Sequence, residues 1–424
     1  MIQGSMNKIN DKSLRILMPS YRSHPYTGGQ GIYMRLVTKA MIDLGHTVEV
    51  LSGQPYPILD EGVGLTKLPS LDLYSYESVL DAFRLSLLKE PINLYEWLSH
   101  LSGGFSEPYT FGERMAVWAK NNYKNYDVVH DNQTLAYGLI KLRDLGLPVV
   151  GTIHHPITMD KRIDIKHADT LTLKILKWRW YSFLKMQIKV ARKLDPIIVV
   201  SENTRKDLIK DFKIDSNKTR KVLHGIDHET FHPISSIKRK KNQLITTASA
   251  DVPLKGLIFL IRAYADLLKE FPDLELLVIG RLREGPTDQE LKKEGIKEKV
   301  KFISDLTGRQ IAELYAESTI AVSPSVYEGF GFPAGEAMSC GIPLISTNGG
   351  SLPEVVGDAA IIVPHSNPKA LKDAIKLLLK SPEKRINLGN KGRKRVLEKF
   401  TWKRAAKELV EVYREAIENA NNRS

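Results

Sequence analysis

Short apolar runs bounded by glycine, proline or polar turns alternate along this chain with stretches whose apolar positions recur every three or four residues. The runs at 14–18, 47–51, 127–130, 148–153 and 196–200 predict strands in the first half. Those at 244–247, 276–280, 300–303, 319–322, 343–346 and 360–363 predict strands in the second, and 221–224 reads as a further strand near the middle. Helical spacing fills the gaps at 31–44, 76–90, 109–122, 170–194, 257–269, 333–338, 367–379, 383–398 and 402–419, and Ser201-Glu202-Asn203 starts another helix. Strands alternating with helices predict an α/β chain with parallel sheets. At 424 residues the chain exceeds one core and predicts two domains of ~200 residues each. The expected division is 1–200 and 201–401, with the helix at 402–419 left over.

One stretch concentrates apolar runs, glycines and fixed polar residues: TIAVSPSVYEGFGFPAGEAMSCGIPLISTNGGSLPEVV, residues 319–356. It reads strand, loop, helix, strand, loop, so two loops leave one edge of a parallel sheet, the edge where ligands bind in such sheets. Gly329 and Gly331 allow close backbone approach, and a helix start favours negative charge. Glu328 and Glu336 add carboxylates, which accept the hydroxyls of a ribose or sugar diol. The combination predicts recognition of an anionic, polyhydroxylated ligand. A single glutamate with turn glycines would carry no such weight.

Composition narrows the class. Hydrophobic content of 42% and charged content of 26% fit a globular soluble chain, and no apolar run approaches the ~20 residues of a membrane span. The single Cys340 excludes an internal disulfide and fits a reducing compartment, packing as a small hydrophobe. Residues 1–7 lack the apolar core of a signal peptide, and Gly4-Ser5-Met6 looks like a tag remnant, so a cytoplasmic location is expected. The net charge of +13 calls for acidic partners or a basic surface. No zinc-finger spacing, ribonucleoprotein aromatic motif or basic heptad is present, so nucleic acid is not an expected partner. The stretch 170–194 holds Lys174, Lys177, Arg179, Lys185, Lys189, Arg192 and Lys193 with no acid, interleaved with Trp178, Trp180, Tyr181 and Phe183. It reads either as an interfacial helix on an anionic membrane or as a core helix whose apolar face is Leu171, Ile175, Trp178, Leu184, Ile188 and Ala191. The aromatics Tyr74, Tyr76, Tyr95, Trp97, Phe105, Tyr109 and Phe111 either line an acceptor cleft or belong to the core.

Glu328 and Glu336 with Gly-Phe-Gly-Phe-Pro between them resemble the donor-site signature of family-four retaining glycosyltransferases, the glycosyltransferase group 1. Thr347, Gly349 and Gly350 match the family's next loop, Lys255-Gly256 its helix entrance, and His224-Gly225-Ile226-Asp227 its interdomain connector. The resemblance implies the GT-B fold, two Rossmann-like domains facing across a cleft, with the last helix returning to the first domain. It implies a hexosyltransferase (EC 2.4) that moves a sugar, with retention, from a nucleotide-diphosphate sugar to a glycan, lipid or small-molecule acceptor in envelope or glycoconjugate synthesis. It further implies that Glu328 and His154 contact the transferred sugar, with His155 as the fallback, and that Glu336 holds the ribose. Lys255 and the amides of Gly28 and Gly29 would hold the diphosphate, while Gly329, Phe330, Gly331 and Thr347 complete the donor loops. The chain departs from the pattern at Ala250, where many relatives have arginine, and Arg281 is the candidate substitute. No Asp-x-Asp pair occurs, so neither metal nor other cofactor is expected. The departure at Ala250 leaves a weakly active nucleotide-sugar-binding protein open, as well as a GT-B phosphorylase or epimerase. A peripheral position on the inner membrane face, through 170–194, is the remaining partner expectation.

Overall fold

The structure, a computed structural model, describes residues 12–25, 29–248 and 252–422. Gly28, Ala250 and the 1–7 segment with Gly4-Ser5-Met6 lie outside the described residues. The chain divides into two units. The first takes the described residues up to 199, then 205–222, then those from 405 onward; the second takes 200–204 and 223–404.

In the first unit, the described strands are β1 (Arg15–Ser20), β2 (Thr47–Ser52), β3 (Gly64–Lys67), β4 (Val128–Asn132), β5 (Val149–Ile153), β6 (Ile197–Val199) and β7 (Thr219–Lys221). They form one parallel sheet in the order β3-β2-β1-β4-β5-β6-β7. β4 and β5 are buried along their whole length, β5 as an apolar strand covered on both faces and β4 with the polar His130, Asp131 and Asn132 buried at its carboxyl end. Phe111, Met115, Leu139, Leu142, Val190 and Leu208, from flanking helices, close the core against Leu17, Val129 and Ile153. Because the chain runs outward from β1 to β3 and then restarts on the other side of β1 with β4, the order reverses between β1 and β4, which opens a crevice at their carboxyl ends.

The second unit repeats the plan with β8 (Gln243–Thr247), β9 (Glu275–Ile279), β10 (Val300–Ile303), β11 (Ile320–Ser323), β12 (Leu344–Thr347) and β13 (Ala360–Val363). Its order is β10-β9-β8-β11-β12-β13, all parallel, and the reversal falls between β8 and β11. Alternate strand residues enter two separate cores. Leu244, Val278, Val322 and Ile345 face one layer of helices, and Ile245, Leu277, Ala321 and Leu344 face the other. Cys340 is buried in the second of these layers.

The last helix, Trp402–Asn421, enters the first unit from residue 405. Leu409, Val410, Tyr413 and Ala416 are buried there. Tyr413 Oη lies 2.6 Å from His130 Nδ1, and Arg220 Nε donates to Glu415 Oε2 at 2.8 Å.

Three expectations change, and one strand was not foreseen. The 170–194 stretch is two helices, Leu171–Trp180 and Leu184–Ala191, separated by a single tight turn at Tyr181–Phe183. That turn swings both rings inward against Phe105 and Ile157, and Tyr181 Oη donates to Asp164 Oδ2 at 2.9 Å. The helix expected at 76–90 is two short tight turns, Val79–Ala82 and Leu85–Lys89, and a helix follows at Pro91–Leu101, where Pro91 occupies a first-turn position that needs no N–H. The strand expected at 221–224 lies at Thr219–Lys221, and it, not the run at 196–200, closes the first sheet. β3 has an exposed edge and no apolar run to announce it.

Candidate active site

The turn after β8 and the loop after β11 meet at the second unit's reversal point. Lys255 ends the short turn Pro253–Lys255, and Gly256 then takes a left-handed conformation (φ 62°) before the Leu257–Leu268 helix. A Cβ at Gly256 would lie 2.2 Å from the carbonyl oxygen of Pro324, so only glycine allows the approach. Val326 N donates to Leu254 O at 2.8 Å and stitches the two segments together. Lys255 Nζ thereby reaches Glu328 Oε1 at 2.8 Å, and Ser325 Oγ donates to the same oxygen at 2.7 Å. The glutamate side chain is largely covered and the lysine about one third exposed.

The loop after β12 braces this pair from behind. Gly350 (φ 61°) passes so close that a Cβ would meet Glu328 O at 2.2 Å. Ser351 donates to that oxygen through N at 2.9 Å and through Oγ at 3.0 Å, and to Phe330 O at 2.9 Å. Thr347 is fully buried and its hydroxyl donates to Ser325 O, so it fixes the loop that carries Glu328 and presents no hydroxyl outward. Phe330 is buried against His224, Phe332 and Phe400 and pins the loop, while Gly329 O accepts from Ser201 Oγ at 3.2 Å. Gly331 (φ 103°) opens the helix Phe332–Ser339, one turn into which stands Glu336. Burial pushes the Glu336 carboxyl up to about 7, with Asp227 beside it adding repulsion. Among the described residues no donor hydrogen-bonds to this carboxylate.

Arg281 is engaged elsewhere on the same edge. Its guanidinium pairs with Asp305 at 2.6 Å and with Ser304 Oγ at 3.2 Å, at the ends of β9 and β10, in an exposed pair. No contact among the described residues brings it to Lys255 or Glu328.

In the first unit a second polar constellation sits at the ends of β1, β4 and β5. His154 Nε2 lies 2.7 Å from Asn132 Oδ1, its N donates to Gln133 Oε1 at 2.6 Å, and Gln133 Nε2 donates to His155 O at 2.7 Å. Asn132 Nδ2 donates to Ser20 Oγ at 3.2 Å, and Ser20 Oγ donates to Arg22 O at 3.1 Å. That chain orients Asn132 with Oδ1 as an acceptor, so the His154 proton resides on Nε2. Burial holds His154 down to about 3, so the ring is neutral near pH 7. Tyr33, from the helix Gly29–Asp43 that Gly29 begins, meets it edge-on at 4.8 Å. Gln133 and Leu135 hold left-handed backbone (φ 53° and 49°), and Gln187 Nε2 ties the Gln133 and Thr134 carbonyls at 3.2 Å each. Strain of this kind persists only where surroundings over-determine it. His155 faces outward to Asp160 at 3.1 Å.

Asp131 and Asn132 are candidates from sequence as polar residues at a strand end, whereas Ser325, Gln133 and Asp227 were not singled out for these roles. The latter three depend on which loops the sheets bring side by side.

Two parallel-sheet units with flanking helices, each with polar residues gathered at its reversal point, match the GT-B fold. Sucrose-phosphate synthase from Thermosynechococcus elongatus shares the fold, with a TM-score of 0.71 at 19% identity over 96% of this chain and 100% of that one. Anabaena Alr3699/HepE, solved with UDP and glucose, superposes with a TM-score of 0.67 at 16% identity over 96% and 99%. The model for glycosyl transferases group 1 matches residues 227–395, and that for glycosyltransferase family 4 matches 27–230. The chain is 40% identical over 409 residues to the MMP alpha-(1->4)-mannosyltransferase of Mycolicibacterium hassiacum, spanning 95% of this chain and 98% of that protein. It therefore belongs to the family-four, group 1 glycosyltransferases and is a hexosyltransferase of class EC 2.4. No described helix is long and apolar enough to cross a membrane.

Proposed function

We propose that the protein transfers a hexose, with retention at the anomeric carbon, from a nucleotide-diphosphate sugar to an acceptor alcohol. The observation that carries the reading is the second unit's reversal point, where Lys255 and Glu328 pair at 2.8 Å while Glu336, one helical turn on, holds a carboxylate to which no described residue donates. An ammonium at this edge neutralises charge developing on a departing diphosphate. Glu336 accepts the ribose hydroxyls, and Glu328 and the neutral His154 contact the sugar. An uncharged imidazole suits that place, because a cation would repel the positive charge that builds at the anomeric carbon. The Gly29 amide, at the start of the Gly29–Asp43 helix, is assigned to the diphosphate as well, with Gly28 outside the described residues. Arg281 joins it only if its pair with Asp305 opens. The reading needs no metal or cofactor. Likeness to a mannosyltransferase makes mannosyl the first sugar to test.

Donor hydrolysis assayed across GDP-, UDP- and ADP-sugars identifies the base and separates an enzyme from a binding protein. Glu336→Ala removes a charged acceptor worth roughly 1.5–3 kcal/mol and should weaken nucleotide binding ten- to a hundredfold. Unchanged affinity by calorimetry removes Glu336 from the role.

A membrane surface as second partner is favoured by one observation, the outward face of the Leu171–Trp180 helix. Leu171, Ile175 and Trp178 are 75%, 60% and 55% exposed, so this half of the apolar stripe covers no core. Lys161 and Lys185 flank the Trp178 ring at 5.5 and 5.3 Å. An apolar face ringed by cations suits anionic headgroups on the inner face of a membrane.

A further inference from the structure

The donor assignment leaves unused a group of residues at the carboxyl edge of the first unit's sheet, on the β1 side of its reversal point. Tyr21 and Arg22 follow β1 directly, and Glu107 stands in the first turn of the Glu107–Asn122 helix. Arg22 Nη1 is 3.7 Å from Glu107 Oε2, too far for a hydrogen bond, and its guanidinium lies 4.7 Å over the Tyr74 ring. Glu107 Oε2 is buried and has no hydrogen-bond partner among the described residues. Burial, opposed by Arg22, pushes this carboxyl up to about 7, and Tyr21 is raised by its own burial and then by Glu107.

Aromatic rings close the circuit around the pair. Tyr21 meets Phe105 at 6.0 Å, Phe105 stacks on Trp180 at 5.0 Å, and Trp180 meets Tyr74 edge-on at 6.4 Å, which returns to Arg22. A buried carboxylate normally fills its acceptor sites with donors. Here those donors are lacking, and the surroundings are rings rather than aliphatic core. Aromatic rings pack against the C–H faces of sugars and a carboxylate takes their hydroxyls. Arg22 and Arg114 both act on Glu107, but Arg114 is paired with Glu96, Asp72 adds further negative charge, and Asp131 is close enough to act on Tyr21, so the locus offers no net positive charge to a phosphate or carboxylate.

We propose that this arc of Tyr21, Tyr74, Phe105 and Trp180 is the acceptor subsite, that the acceptor is a neutral saccharide, and that Glu107 binds one of its hydroxyls. The assignment rests on the glycosyl-transfer reading and gives it an acceptor class. It is tested on the full chain by saturation-transfer NMR with mannobiose and maltotriose as neutral probes and mannose 6-phosphate as the charged one, alongside donor hydrolysis without acceptor. Wild type should saturate a neutral probe and not the phosphorylated one. Glu107→Gln should weaken that binding about tenfold, as the loss of a charge-assisted hydrogen bond does. Trp180→Ala should weaken it too, and both variants should hydrolyse donor within about twofold of wild type. Binding of no neutral probe, preference for the phosphorylated one, or unaltered affinity in Glu107→Gln overturns the subsite. Absence of donor hydrolysis and of nucleotide binding in wild type instead overturns the glycosyl-transfer reading, so the two failures are told apart.

Discussion

The ammonium of Lys255 donates to the carboxylate of Glu328 at 2.8 Å, and on the proposed reading the donor diphosphate draws on the same cation. Lys255→Ala should therefore lower turnover at saturating donor by about 10²–10³, the range for removing one group that stabilises developing negative charge. A wild-type rate takes the lysine out of the mechanism. Glu336 gives a pH signature. Its folded-state carboxyl stands near 7, above its ordinary 4.5, so the native protein binds that proton more tightly than the unfolded chain. Its contribution to stability is fully present below about 4.5 and is lost as pH rises through about 7. Ribose hydroxyls prefer the ionised form, so nucleotide affinity should climb across the same interval, and Glu336→Gln should flatten the climb in calorimetry from about pH 6 to 8. The sequence made Lys255, Glu328 and Glu336 legible because each sits in a local pattern of glycines at a helix entrance. Thr347 and Phe330 were legible as members of the site but not in their tasks, since a buried hydroxyl that clamps a carbonyl reads the same in one dimension as one that meets a ligand. Glu107 carried no signal, because its surroundings come from β1, from Tyr74 and from Trp180, far apart along the chain.

Strands were the readable elements. Those at 300–303 and 360–363 were placed to the residue although they are the two edge strands of the second sheet with one buried residue each, because β-branched and aromatic residues bounded by turn signals mark a strand even where it is half covered. The 170–194 stretch misled because helical spacing continues across the break, with no glycine or proline to mark it, and the turn is imposed by Tyr181 and Phe183 reaching inward. The break divides the labour. Leu184, Val190 and Ala191 are buried, while the first helix leaves its apolar side outside. Lys177 and Arg179 are engaged, with Asp164 at 2.9 Å and Ser102 Oγ at 2.9 Å, so the cations left for lipid are Lys161, Lys174 and Lys185. The protein should float with vesicles containing anionic lipid and not with neutral ones. Salt near 0.5 M, where screening shortens to a few ångströms, should release it. The Leu171→Glu, Ile175→Glu double variant should stay at the bottom of the gradient; flotation of that variant would end the membrane reading.

At the scale of the molecule, alternating strand and helix signals gave two α/β sheets, but the sequence did not show which unit each connecting piece joins. Residues 205–222 supply a helix and the closing strand β7 to the first unit, after the chain has already contributed 200–204 to the second. The final helix is bound to the first unit through a buried tyrosine whose hydroxyl meets His130, itself held neutral by burial. Tyr413→Ala should cost the first unit about 3–5 kcal/mol, the range for deleting a large buried ring. In two-stage unfolding its transition should move to lower denaturant, while nucleotide binding by the second unit should persist to the same concentration as in wild type. If both transitions shift together, the helix supports more than the first unit. A growing chain meets the same dependence in time. β1 to β7 leave the ribosome first, yet the surface that Leu409, Val410, Tyr413 and Ala416 cover stays bare until the second unit has been made, so the half of the enzyme synthesised earliest is the last to be sealed.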